Sequence, residues 1–369
     1  YFGAIKDHIL AFMADLDKEL WKLGIYSKTR HNEVAPNQFE MAPVYTTTNI
    51  AVDQNQLVME TMGKVALRHE LVCLLHEKPF QGVNGSGKHN NWSIATDTGL
   101  NLLEPGHTPH ENQQFLVILA ALVKAVDVHA DILRASASNA GNDHRLGANE
   151  APPAIISIFM GTELSRILEA VAAGTGLSST SQAFLRLGVD SLPPLPRDNT
   201  DRNRTSPFAF TGNKFEFRMM PSSASIAMGN TVLNTIVAEA FDEIATRLEN
   251  AKDFPAEATQ IIKDAMKNHG RVIFNGDGYS AQWKEEAAKR GLLNISNTVD
   301  AVKTYLNPKS FALFETYKVL TKEEMHSRVD VMLDQYSHHV NIEAQTAIRM
   351  TETEYIPAVI RYTKQLADT

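Results

Sequence analysis

The sequence predicts an α+β fold: a curved, largely antiparallel sheet backed by helices, followed by an all-helical C-terminal region. Three observations carry this reading. Residues 25–45, 80–96 and 208–220 either alternate apolar and polar side chains or are cut by Pro and Gly, as strands and their turns are. The stretches between them place apolar residues at helical spacing. Beyond Phe254 the chain turns Lys/Glu-rich and helical in pattern, with few residues suited to chemistry. We therefore divide it into a first domain, 1–251, and a C-terminal helical domain, 252–369.

Each element has its own local reason. Residues 2–23 carry Ile5, Ile9, Phe12, Met13, Leu16 and Leu20 on one helical stripe, and Gly24 suits a helix C-cap. Residues 25–45 read as strands with a turn or bulge at Pro36 and Pro43. A second helix is expected over 53–76, with Pro79 just beyond it, and a Gly-rich turn then feeds an alternating strand up to Thr96. Residues 111–133 form a third, mostly apolar helix, 136–153 a loop and 155–173 a further helix. Residues 174–203, rich in Ser, Pro and Gly, run over the surface. Residues 208–220 read as one strand and 225–250 as a helix.

Composition narrows the function. The chain has 369 residues, 43% hydrophobic and 21% charged, which is ample for a large core and too apolar for disorder. Its net charge of −8 argues against a nucleic-acid partner, because such proteins carry a basic surplus. The longest apolar run, residues 115–123, is about half of what a bilayer span requires, and no signal peptide or lipidation motif is visible. A single cysteine, Cys73, cannot close an internal disulfide and points to a reducing, cytoplasmic setting. Within Leu71-Val-Cys-Leu-Leu75 it reads as a packed residue rather than a nucleophile.

Five segments carry chemistry. Gly82 to Lys88 has the spacing of a phosphate-binding loop, but His89 stands where Ser or Thr is needed and a strand follows in place of a helix. In that strand His89, Asn91 and Ser93 share one face, while Asn90, Trp92 and Ile94 take the other. Lys214, Glu216 and Arg218 likewise oppose Phe215, Phe217 and Met219. Glu33 and Glu40 are an odd number of residues apart, so a regular strand would put them on opposite faces, and a turn at Pro36 is needed to bring them together. Arg145, Arg202 and Arg204 lie in Gly- or Asn-rich contexts, where a guanidinium fork suits carboxylate or phosphate. Taken singly, the His89 strand favours a ligand-binding surface, while the Glu216 strand, the glutamate pair and the arginine loops read better as solvated or structural. Together, three glutamates and one histidine form an oxygen-rich donor set suited to magnesium or manganese, and with the arginines they point to phosphoryl transfer.

Asn84-Gly-Ser-Gly-Lys-His89, Asn32-Glu-Val-Ala-Pro36, Arg202-Asn-Arg204 and Glu216-Phe-Arg218, in their chain order, resemble the metal and nucleotide motifs of glutamine synthetase. His31-Asn-Glu-Val-Ala-Pro-Asn-Gln-Phe-Glu40 and Gly147-Ala-Asn-Glu-Ala-Pro-Pro153 are most similar to its large type III branch. The resemblance spans roughly residues 20–250 and implies a catalytic domain of that family's type. It implies that Glu33 and Glu40 hold a first Mg2+ or Mn2+ ion on the glutamate side, and His89 and Glu216 a second at the ATP phosphates. It places Asn84, Gly85, Arg145 and Arg218 at the substrate, Asn91, Ser93 and Lys214 at the nucleotide, Arg204 at the transferring phosphoryl group, and Glu150 on a flap where it takes a proton from ammonium. The implied reaction ligates ammonia to the γ-carboxylate of glutamate through γ-glutamyl phosphate. A ring-shaped homo-oligomer with sites between subunits is implied as well.

The sequence departs from the family pattern in several places. No Glu-x-Glu strand precedes Glu33, and Glu352-Thr-Glu354 lies in the helical C-terminal region. The family's N-terminal β-domain is not found either, so the sequence reads as the C-terminal part of a longer enzyme. Ala209 stands where many members carry a second arginine, and the stretch from Arg145 to Glu150 is one residue short. Two alternative readings keep the fold: a γ-glutamyl ligase for a larger amine, and a non-catalytic structural relative.

Overall fold

The computed structural model describes residues 3–147, 151–175, 184–185, 195–196 and 205–369. The first unit is a pair of helices over a hairpin. Helix α1 (Asp7–Lys22) buries Ile9, Met13, Leu16 and Leu20. It stops where Gly24 takes a φ of 74° and the Ile25 N–H reaches back to the Leu20 carbonyl. Strands β1 (Ser27–Asn32) and β2 (Phe39–Pro43) pair antiparallel. Helix α2 (Thr48–Arg68) then packs on α1, enclosing Leu16, Leu20, Ile25, Val58 and Val65.

Helix α2 is shorter than its sequence suggests. Glu70 adopts a φ of 56°, the Leu71 N–H returns to the Ala66 carbonyl, and the next residues have no regular secondary structure. This is the glycine-type helix stop made by a glutamate, so no glycine marks it in the sequence. Pro79 plays no part in ending the helix.

Strand β3 (Asn90–Trp92) lies at one edge of a four-stranded sheet of order β3–β8–β7–β4, with β4 (Ile158–Phe159), β7 (Phe208–Phe210) and β8 (Phe215–Phe217). The β3–β8 and β8–β7 pairs are antiparallel and β7–β4 is parallel, which bears out the largely antiparallel α+β expectation. The expected single strand over 208–220 is instead a hairpin. Gly212, at a φ of 94°, turns the chain and the Thr211 N–H closes on the Lys214 carbonyl. The expected helix over 155–173 also divides, into β4 and α6 (Gly161–Ala173). A further two-stranded pair joins β5 (Phe184–Leu185) to β6 (Leu195–Pro196).

Helix α3 (Gln113–Val128) is buried nearly all round, as its apolar composition requires, with Asn112 capping its start. Helix α4 (Ala130–Ala135) follows directly. The expected loop over 136–153 contains a further helix, α5 (Ala140–Arg145), whose first turn is capped by Asn139. Helix α7 (Ala227–Glu249) backs the sheet: Asn230 accepts from Asn90 Nδ2 at 2.9 Å and Asn234 accepts from Trp92 Nε1 at 2.8 Å. The aromatic face of the hairpin closes the same core. The rings of Phe208 and Phe215 stack with centroids 4.5 Å apart, and Phe210 and Phe217 pack edge-on against them.

The remaining chain is helical: α8 (Phe254–His269), α9 (Ala281–Lys289), α10 (Thr298–Lys303), α11 (Pro308–Thr316), α12 (Lys322–Met350) and α13 (Ile356–Ala367). Helix α12 opens with a capping box, Thr321 and Glu324 each satisfying the other's backbone N–H. It buries Met325 and Val329 and then runs out over the surface. A π-helical turn at Thr351–Tyr355 joins it to α13, where Pro357 lacks the N–H that a regular turn would use. Among the described residues, no helix is long and apolar enough to cross a membrane.

Because Phe215 packs against both Phe208 and Phe210 behind Glu216, Phe215→Ala should destabilise the fold by about 3–5 kcal/mol. Urea unfolding followed by circular dichroism measures this.

Candidate active site

The β3–β8 register builds a polar face. Asn91 pairs with Glu216, Asn90 with Phe217 and Trp92 with Phe215. Opposed residues in an antiparallel pair share a face, and every second residue returns to it. His89, Asn91 and Ser93 therefore share one face with Lys214, Glu216 and Arg218, while Asn90, Trp92, Phe215 and Phe217 turn into the core. His89 Nδ1 lies 3.2 Å from Glu216 Oε1, and Arg218 Nη1 lies 3.9 Å from Glu216 Oε2. Glu216 and Arg218 are almost wholly buried, whereas His89 leaves 39% of its side chain exposed. A buried carboxylate needs a cation, and here an imidazole nitrogen stands beside it at the open end. Counted with Glu33 and Glu40, this pair belongs to a mostly oxygen donor set, which suits Mg2+ or Mn2+. Ala209 on β7 pairs with Glu216 on the other side, so the next strand adds a methyl group in place of a charge.

The two hairpin glutamates also come to one face. Residues 34–37 make the turn, with Asn37 at a φ of 57°, and the Glu33 N–H donates to the Gln38 carbonyl. His31 pairs with Glu40, so Glu33 and Glu40 lie on the same side as His31 and Gln38. Gln38 Nε2 donates to the Gly85 carbonyl at 3.0 Å, tying this carboxylate face to the Gly-rich turn from which His89 leaves.

Arg145 is placed differently from the expectation that it faces a substrate carboxylate. Its guanidinium is buried and donates to the carbonyls of Arg218 (3.1 Å), Met219 and Met220 (both 3.4 Å) and to Asn142 Oδ1 (3.0 Å). It lies in a slot whose wall is Gly85 and Gly87, where a Cβ would run into the arginine. Burial pushes the guanidinium down to about 10, Glu77 opposing the shift and Arg218 adding to it, so it stays charged at neutral pH.

Lys88 makes a second clamp, and this excludes the phosphate-loop reading. Its ammonium donates to the carbonyls of Pro221 (3.1 Å), Ser222 and Ala224 (both 2.6 Å), and its N–H donates to the Met220 carbonyl. Burial pushes this ammonium down to about 8, opposed by Glu77 and reinforced by Arg145. Buried Glu77 completes the arrangement, accepting from the Ser223 N–H at 2.8 Å and hydroxyl at 2.6 Å. Lys88, Glu77 and Gln38 are the residues that sequence reasoning missed. Adjacency to the glycines was a signal for Lys88, but nothing local marked Glu77 among surface glutamates. Glu150 and Arg204 lie outside the described residues.

Comparison with known proteins identifies the family. A profile described as "Glutamine synthetase, catalytic domain" matches residues 2–152, and one described as "Glutamine synthetase C-terminal domain" matches residues 257–369. The chain belongs to the glutamine synthetase family. It is 47% identical over its whole length to a type-3 glutamine synthetase of Dictyostelium discoideum and covers 50% of that protein. A glutamine synthetase of Butyrivibrio fibrisolvens is 50% identical, again over the whole chain, which covers 52% of it. The chain thus spans about half the length of the curated relatives it matches. A cryo-EM structure of Plasmodium falciparum glutamine synthetase shares the fold, with a TM-score of 0.60 and 12% identity over 92% of this chain and 61% of that one.

Gly87→Ala should force Arg145 from its slot, lowering stability by about 1–3 kcal/mol by overpacking. Lys88→Met, which keeps the length but leaves three carbonyls without their donor, should also destabilise by about 1–3 kcal/mol. Chemical denaturation of each variant against the parent checks both.

Proposed function

We propose that this chain forms the greater part of the active site of an ATP-dependent glutamate–ammonia ligase. The observation that carries the proposal is the single polar face of His89, Asn91, Ser93, Lys214, Glu216 and Arg218, with the Glu33–Glu40 hairpin tied beside it through Gln38. Bound Mg2+ or Mn2+ would neutralise phosphate charge. Glu33 and Glu40 would hold one ion near glutamate, and His89 and Glu216 another near the nucleotide. Asn91, Ser93 and Lys214 line the nucleotide side, and Asn84, Gly85 and Arg218 the glutamate side. Arg145 acts from beneath by fixing the backbone that carries Arg218.

In the first step the γ-carboxylate oxygen of glutamate attacks the terminal phosphorus of ATP and ADP leaves, with Arg204 offsetting charge on the transferring group. In the second, Glu150 takes a proton from ammonium. The freed nitrogen lone pair attacks the acyl carbon, the bond from that carbon to the phosphate oxygen breaks, and the nitrogen's surplus proton leaves with the departing phosphate, giving the amide. Excluding water is essential here, because water would hydrolyse the acyl phosphate. The Glu-x-Glu strand absent from the sequence would supply the remaining carboxylates, and a homo-oligomeric ring in a cytoplasmic setting would complete sites between subunits.

The experiment is glutamine formation from glutamate, ammonium and ATP with Mg2+, using the protein extended upstream. The extended protein should turn over, and His89→Ala and Glu216→Gln should each lower kcat by about a hundredfold or more while remaining folded. Absence of glutamine, with turnover on a larger amine instead, would overturn the substrate assignment.

A further inference from the structure

Outside the polar face, among the described residues, one group of side chains has the makings of a separate metal site. His76 precedes Glu77 at the end of the irregular run after α2, and His339 and Glu343 lie one turn apart on α12. One ligand atom from each of the three lies within 4.8 Å of the others. The His76 and His339 rings face each other with centroids 6.2 Å apart, and His339 Nε2 is 3.0 Å from Glu343 Oε1. We propose that His76, His339 and Glu343 bind a divalent transition-metal ion of the zinc class.

The donor set decides the class. Two imidazoles among three donors suit Zn2+, Co2+ or Ni2+, whereas Mg2+ and Ca2+ prefer donor sets dominated by oxygen. A tetrahedral zinc with ligand bonds near 2.0–2.1 Å has ligand atoms about 3.3 Å apart. His339 and Glu343 already stand close to that separation. His339 is 44% and Glu343 48% exposed at the side chain, so rotamer changes can close the two edges to His76, which lie within 4.8 Å, and water fills the fourth position. His76 Nδ1 accepts the Lys78 N–H at 3.0 Å, so in the neutral ring the proton sits on Nε2. Ligation through Nε2 moves that proton to Nδ1 and gives up the Lys78 contact, with no net proton released by this residue. The neighbouring His338 is paired separately, with Asp334 at 3.2 Å, and takes no part.

The consequence is structural. Beyond Val329 no residue of α12 is buried. A metal at this point would pin the outer half of the helix to the residue next to Glu77, and Glu77 in turn holds the loop that follows Arg218.

The test uses the whole chain, stripped with chelator and titrated with Co2+ while the visible spectrum is followed. The expected result is an intense four-coordinate cobalt band saturating at one ion per chain. His339→Ala and Glu343→Ala, both on the exposed helix surface, should each weaken binding by at least the roughly tenfold that loss of even an outer partner costs. Both should also abolish the rise in Tm that Zn2+ gives the parent. His89→Ala should leave the band intact, which separates this site from the proposed catalytic metals. Titrations of His339→Ala and Glu343→Ala that superimpose on the parent, or a band lost in His89→Ala alone, would overturn the proposal.

Discussion

The site depends on one electrostatic arrangement: a buried guanidinium and a half-buried ammonium holding a ring of backbone carbonyls. Arg145 takes the carbonyls of residues 218–220 and Lys88 those of 221, 222 and 224. A loop leaving a buried strand would otherwise bring unsatisfied acceptors into the interior, at a cost comparable to a lost hydrogen bond for each. The glycines of the 82–88 turn make the arrangement possible: Gly87 leaves room for the Arg145 guanidinium, and Gly85 for its aliphatic stem and the Glu77 carbonyl. Arg218 and Glu216 inherit their positions from this clamp, and His89 inherits its own from Lys88, the residue before it.

The sheet supplies the second constraint. Its period of two sends Phe215 and Phe217 into a stacked aromatic core and Glu216 to the opposite face. Packing behind the sheet therefore fixes the polar residues in front of it. The asparagines of β3 and α7 reinforce this, because Asn90 and the Trp92 indole each end on a helix amide and so lock the edge strand in register. A carboxylate as deeply buried as Glu216 is tolerable in such a frame because a guanidinium and an imidazole stand beside it.

The comparison between sequence and structure has a consistent pattern. The helices over α1, α3 and α7 were legible, because long apolar periodicity leaves little choice. The α2 end was not, since a glutamate rather than a glycine took the left-handed position. The hairpin over 208–217 was hidden because aromatic residues recur at every second position on both sides of the turn at 211–213, which reads as one alternating strand. The faces nevertheless came out correctly, because period two is preserved within each strand. Arg145 was legible as an arginine in a polar loop, yet its direction was not, because that depends on a slot formed by glycines about sixty residues away.

Sequence alone determined the fold class, the family, and which residue types gather around β3 and β8. Those follow from local spacing and from motifs that survive as short strings. Tertiary structure decided which side chains face a ligand and which hold the protein together. Glu33 and Glu40 meet on one face because a turn reverses the chain between them. Lys88 and Arg145 turn inward because buried carbonyls from a distant loop require donors. The reason is physical: the periodicity of a segment is set by its own backbone, whereas the partner of a charge is set by whatever the folded chain brings within hydrogen-bonding distance.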